Sequence, residues 1–124
     1  MKEQKDYAQE FRKFANKHDC KSSMWFGSKN LENCEEHEDV VQIITLPLEF
    51  IASKLNASIS VSVETAGTED PHYLVACNRL VLEDERPSPT DFQWFSNDKF
   101  NDWCAQKIER WRKDLAIGKL LQVV

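Results

Sequence analysis

Ser58-Ile59-Ser60-Val61-Ser62-Val63-Glu64 alternates apolar and polar residues without a break. Successive side chains of a strand point to opposite faces, so Ile59, Val61 and Val63 share one face while the serines and Glu64 share the other. A strand packed on one side and wet on the other belongs to an antiparallel sheet with an open face. Turn chemistry follows in Ala66-Gly67-Thr68-Glu69-Asp70-Pro71, and Tyr73-Leu74-Val75-Ala76-Cys77 with Leu80-Val81-Leu82 reads as the hairpin partner, interrupted by a bulge at Asn78. Glu83 to Pro89, with prolines at 87 and 89, reads as a surface loop.

Upstream, Val40-Val41-Gln42-Ile43-Ile44-Thr45 is β-branched and bounded by an acidic cluster and Pro47, which predicts a largely buried strand. Pro47 suits a first helical turn, and Leu48, Phe50, Ile51 and Leu55 then predict a short helix over 47–55, with strand continuation as the alternative. Ser28 is read as the cap of a short helical turn through Leu31 and Cys34.

Both flanks are helical. Tyr7, Phe11, Phe14 and Ala15 form one face of a helix over 3–17. Ser88-Pro89-Thr90-Asp91 reads as the start of a short helical turn. Ser96 caps the last helix, with Phe95 and Phe100 as a hydrophobic staple. Phe100, Trp103, Cys104, Ile108, Trp111 and Leu115 form its apolar stripe, and Gly118 is placed to end it. The tail 119–124 then reads as a terminal strand or a loosely packed end. Eleven of the thirteen aromatic residues lie in 7–26 and 92–111, and the middle is mainly Val, Ile and Leu. The expected fold is one α+β domain over 1–124: a small, mainly antiparallel sheet of three to four strands, with N- and C-terminal amphipathic helices packed on one face, in the order α-β-α-β-β-α.

The 124 residues carry sixteen Lys and Arg against twenty-one Asp and Glu, a net charge of −5. That balance disfavours nucleic-acid binding, and no apolar run approaches the roughly 18 residues of a membrane span. Charge is uneven: residues 64–98 hold eight acids against Arg79 and Arg86, whereas 99–119 hold six bases and three acids. Arg110-Trp111-Arg112-Lys113 mixes bases with an aromatic, but Trp111 falls on the apolar stripe and the bases on the solvated side. The chain begins with a charged segment and shows no export signal, so Cys77 and Cys104 read as small buried hydrophobes in a reducing, cytoplasmic setting.

Two constellations bear on chemistry. His18-x-Cys20 and Cys34-x-x-His37 offer two thiolates and two imidazoles, a donor set able to hold zinc, although His-x-Cys is tight for two ligands of one metal. The competing readings are a packed Cys20 with His18 favoured by the helix C-terminus, or a Cys20–Cys34 disulfide. His72, with Glu64 across the hairpin, is the one acid–base pairing the strands suggest. Nucleophile elbows, Cys–His dyads and glycine-rich phosphate loops are absent from a sequence with only three glycines. The leading expectation is therefore a non-enzymatic, small acidic interaction protein that binds and modulates another protein, of the regulator, immunity or inhibitor type. Trp25, Phe26 and Trp94 are its candidate contact residues. The alternatives are a small enzyme or ligand-binding domain with a pocket between sheet and helices, lined by His72, Tyr73 or the serine face, and a zinc-stabilised binding module.

Overall fold

The computed structural model describes residues 6–20, 25–26, 37–65, 71–87, 89–92, 94 and 96–122. Helices α1 (Tyr7–Lys17) and α2 (His37–Ser53) are followed by strands β1 (Ser60–Thr65), β2 (Pro71–Cys77) and β3 (Leu80–Glu85). A 3-10 turn over Pro89–Phe92 then leads to the long α3 (Asn97–Gln122). The sheet is antiparallel with β2 in the centre, and the α+β class is the expected one. α2 packs on β1 and β2, α3 packs on β3, and α1 lies against α3 and α2. α3 thus rests on the sheet as the sequence suggested, whereas α1 packs mainly on α3 and α2.

The β1 alternation holds in space: Val61 and Val63 are half-buried while Ser60, Ser62 and Glu64 are exposed. Asn78 and Arg79, with φ of 49° and 71°, form a two-residue turn that pairs Cys77 with Leu80. Where the sequence suggested one interrupted strand there are two, since both turn positions of such a hairpin take positive φ. The bulge lies further on, at Leu82, where the register shifts between Val75 and Ala76. The acidic run expected as a loop continues the strand to Glu85, and Glu83 is buried.

The segment 40–45, expected as a strand, belongs to α2. Its buried residues Val40, Ile43, Ile44, Pro47, Leu48 and Ile51 recur at intervals of three and one, the stripe of a helix. Leu46 and Phe50 are buried as well, because α2 is enclosed between the sheet and the other two helices. Tertiary burial on both sides overrides the strand preference of the β-branched run. Pro47 sits inside this helix, not at its start.

A proline there has no N–H for the carbonyl four residues back, which is that of Ile43. The Trp25 indole supplies the missing donor: its Nε1–H reaches the Ile43 oxygen at 3.0 Å, fully buried. The Trp25 carbonyl in turn accepts from the Trp94 backbone N–H at 2.7 Å, and Phe26 bridges to Trp94. Aromatic packing continues outward from this junction. Phe11 meets Trp25 edge-on at 4.9 Å, Phe50 at 5.4 Å and Phe100 at 5.0 Å, and Trp94 meets Phe100 at 4.9 Å.

α1 and α3 both begin on side-chain caps, that of α3 being the expected one. The Asp6 side chain accepts from the Gln9 N–H, and Asn101 Oδ1 accepts from the Ala8 N–H, tying α1's first turn to α3. Ser96 Oγ caps α3 through the Lys99 N–H. Gly118 does not end α3, which runs on to Gln122 and takes in most of the tail read as a strand. Its lack of a side chain serves packing instead, since a Cβ there would lie 2.6 Å from Leu80 Cδ2. The short helix expected at 28–34 and the Phe95 half of the staple lie outside the described residues.

Trp25→Phe, which keeps the ring and removes the donor, is expected to cost about 1–3 kcal/mol by leaving a buried carbonyl unpaired. Pro47→Ala restores a backbone N–H, so the same Trp25→Phe change should cost at least about 1 kcal/mol less in that background. Chemical denaturation of the four proteins of the cycle measures the coupling, and additivity would show that the indole is not replacing the proline's lost donor.

Candidate functional site

The bulge at Leu82 turns two successive β3 residues, Leu82 and Glu83, toward the helices. Glu83 thereby enters the core with its side chain fully covered. Three bonds hold it. Oε1 accepts from Trp111 Nε1 at 2.8 Å and pairs with Lys107 Nζ at 2.5 Å, while Oε2 accepts from the Tyr73 hydroxyl at 2.8 Å. A second carboxylate, that of Glu85, accepts from the same hydroxyl at 3.3 Å. A buried carboxylate is tolerable only when paired and hydrogen-bonded, and this one is. Burial pushes the Tyr73 phenol well above its ordinary range, and the bonds and negative charge of Glu83 and Glu85 push it the same way. Tyr73 therefore remains a donor, and the cluster joins β2, β3 and α3 as a structural lock.

On the opposite face the sheet is open. Ser60, Ser62, Glu64, Val81 and Asp84 are exposed, and His72, Leu74 and Ala76 are half-buried among them. His72 stands directly across from Glu64, as the hairpin suggested, but its ring contacts Asp84 on the other neighbouring strand. Val81 is 53% exposed beside the Leu74 and Ala76 row. His72, Ser60 and Ser62 point away from the helices, whereas Ser58, ahead of β1, lines a cavity that the helices share.

A cavity of about 540 Å³ does open elsewhere between sheet and helices. It lies where the segment after α2, the β2–β3 turn and the last turns of α3 meet, bordered by Leu55, Cys77, Leu80, Arg112 and Leu115.

No protein-family model, no curated protein and no solved structure matches the chain. The site must therefore be judged on its own geometry.

Of the expected contact residues, Trp25 and Trp94 are buried in the aromatic core, and Phe26 is half-buried beneath the Arg12 guanidinium at 4.3 Å. Arg12 also donates to Asn97 Oδ1. The two tryptophans are thus core material here, with no face turned to solvent. Of the zinc set, His18 is exposed and packs tilted against Phe14 at 4.8 Å, whereas Cys20 is buried with its thiol toward Gln42 Oε1 and the His18 carbonyl. Cys34 and the His37 side chain lie outside the described residues. Among the described residues no three His, Cys, Asp or Glu side chains are grouped to hold a metal ion. No helix among them is long and apolar enough to cross a membrane.

Cys77 and Cys104 are buried free thiols. Burial pushes the Cys104 thiol far above the usual thiol range, with Lys54 opposing and Glu10 adding to the shift. Glu83, Lys107 and Arg112 are not site candidates on the sequence alone, which reads Arg112 on a solvated helix face and Glu83 in a loop. The legible signal was Asn78-Arg79, a two-residue turn that makes the following residues a strand.

Glu83→Ala is expected to cost about 3–5 kcal/mol by leaving Lys107 and two donors without their acceptor, and Lys107→Met less, because Lys107 is nearer the surface. Denaturant midpoints give both values, and a loss below about 1 kcal/mol for Glu83→Ala would remove the lock.

Stability should also fall as pH rises past about 8.5, where an unfolded thiol, and near 10 an unfolded phenol, release protons that Cys104 and Tyr73 keep in the fold. The unfolded chain then binds fewer protons, so alkali favours it. Cys104→Ala and Tyr73→Phe should each flatten this decline in a melting series against pH.

Proposed function

We propose that the chain is a non-enzymatic interaction protein whose open sheet face binds another protein and modulates it. The observation that carries this reading is the exposed Val81 on a sheet face that the helices leave uncovered. Leu74 and Ala76 extend the apolar strip, while Glu64 and Asp84 edge it with negative charge. Apolar centres ringed by charge are the usual anatomy of a protein interface. The partner with matching chemistry presents an apolar centre within a Lys- and Arg-rich rim, and the chain's charge of −5 would speed its approach. On the inner face, by contrast, Tyr73, Lys107 and Trp111 keep Glu83 engaged in structure. Free thiols at Cys77 and Cys104 suit a reducing compartment, which makes the cytoplasm the proposed setting.

The test begins with capture on the immobilised protein from an extract of its source cells, and each recovered protein is then purified and titrated alone. Val81→Glu should weaken the purified pair at least tenfold, added salt should weaken it further, and Ile117→Glu, an exposed control on α3, should leave it unchanged. Failure of every purified candidate to bind, or equal binding by Val81→Glu, would overturn the reading. A dimer of the chain itself that Val81→Glu dissolves would replace the foreign partner with a second copy.

A further inference from the structure

The cavity at the end of α3 has a lopsided lining. Leu55 and Cys77 are buried in it and Leu80 and Leu115 half-buried, while Asn56 and Asn78 are exposed at its rim. Among the described residues its charged lining groups are Lys54 and Arg112, with no Asp or Glu. That is unusual in a chain with an excess of five acids.

The two cations differ. Lys54 follows the last residue of α2, where the helix dipole favours a positive charge. It is also engaged, paired with Glu10 at 2.7 Å and lying over the Phe50 ring at 5.0 Å. Arg112 has neither explanation. It stands ten residues before the end of α3 at Gln122, well beyond the last turn to which the dipole effect is confined. Among the described residues it makes no ion pair.

We propose that this cavity is a binding site for a single-chain amphiphilic anion, an acyl carboxylate being the simplest form. The head group sits on the Arg112 guanidinium, whose planar fork matches a carboxylate bidentately. The chain lies against Leu55, Leu80 and Leu115, and the volume falls within the roughly 300–1,000 Å³ of small-molecule sites. This site is separate from the outer sheet face and does not depend on the protein-binding reading.

The test uses the full chain with octanoate, octanol and inorganic phosphate as probes. Cys77 lines the cavity and serves as a reporter, its modification by N-ethylmaleimide followed by peptide mass mapping. Octanoate should slow that modification and raise the melting temperature in a concentration-dependent way. Octanol should bind at least tenfold more weakly, and phosphate should give no protection. Arg112→Gln, at an exposed position that leaves the core untouched, should weaken octanoate at least tenfold without lowering the unliganded melting temperature. Ala116→Trp should block the site with Arg112 intact. Equal binding of octanol and octanoate, unchanged affinity in Arg112→Gln, or no protection by octanoate would overturn the proposal. Phosphate protecting as well as octanoate would overturn the acyl component and leave a bare anion site.

Discussion

The Ile43 carbonyl cannot be satisfied by its own helix, and the connection between the chain's two ends follows from that. A proline at 47 removes the donor in the middle of a helix enclosed on both sides, where water is not at hand to replace it. The Trp25 indole meets this requirement, and in doing so fixes the segment that carries Phe26 and receives Trp94. Phe11, Phe50 and Phe100 then close around the same point. A residue type that often anchors interfaces is here committed to backbone chemistry, because a buried unpaired carbonyl is more costly than a tryptophan withdrawn from the surface.

A second constraint acts at the other side of the sheet. The extra residue in β3 breaks the period of two, so that Leu82 and Glu83 both face inward. The carboxylate so placed gathers Tyr73, Trp111 and Lys107 and aligns α3 on the sheet. The same two-residue turn that starts β3 brings the Leu80 side chain close against α3 at Gly118 and helps shape the cavity beside Arg112. Lock and cavity are thus consequences of how one hairpin meets one helix.

These two devices leave the molecule with contrasted faces. Helices cover one side of the sheet with aromatic and aliphatic packing. The other side remains open, its serines, His72, Glu64, Asp84 and Val81 available to a partner. The cavity lies at the seam between sheet and helices, and its cationic lining opposes the acidity of the open face.

Much of this was legible in the order of residues. The Ser58–Glu64 alternation fixed a half-buried strand because a period of two admits one reading, and the i, i+3, i+4 stripes of α1 and α3, with Ser96 as cap, identified both flanking helices. The cross-strand meeting of Glu64 and His72 followed from the hairpin alone. What the residues alone did not decide were the features that depend on enclosure. The run 40–45 is β-branched and suits a buried strand or a buried helix equally; only its position between sheet and helices selects the helix, since burial on two sides rewards the wider stripe that includes Pro47. The destination of Glu83 required the bulge, and that of Trp25 required the vacancy at Ile43, both long-range conditions that local preference does not encode. Asn56, Leu80 and Arg112 stand on three different segments far apart in the chain, and only packing brings them to one cavity. Local periodicity determined the elements because it acts within a few residues, and the tertiary structure decided the sites because hydrogen-bond satisfaction and volume are settled between elements.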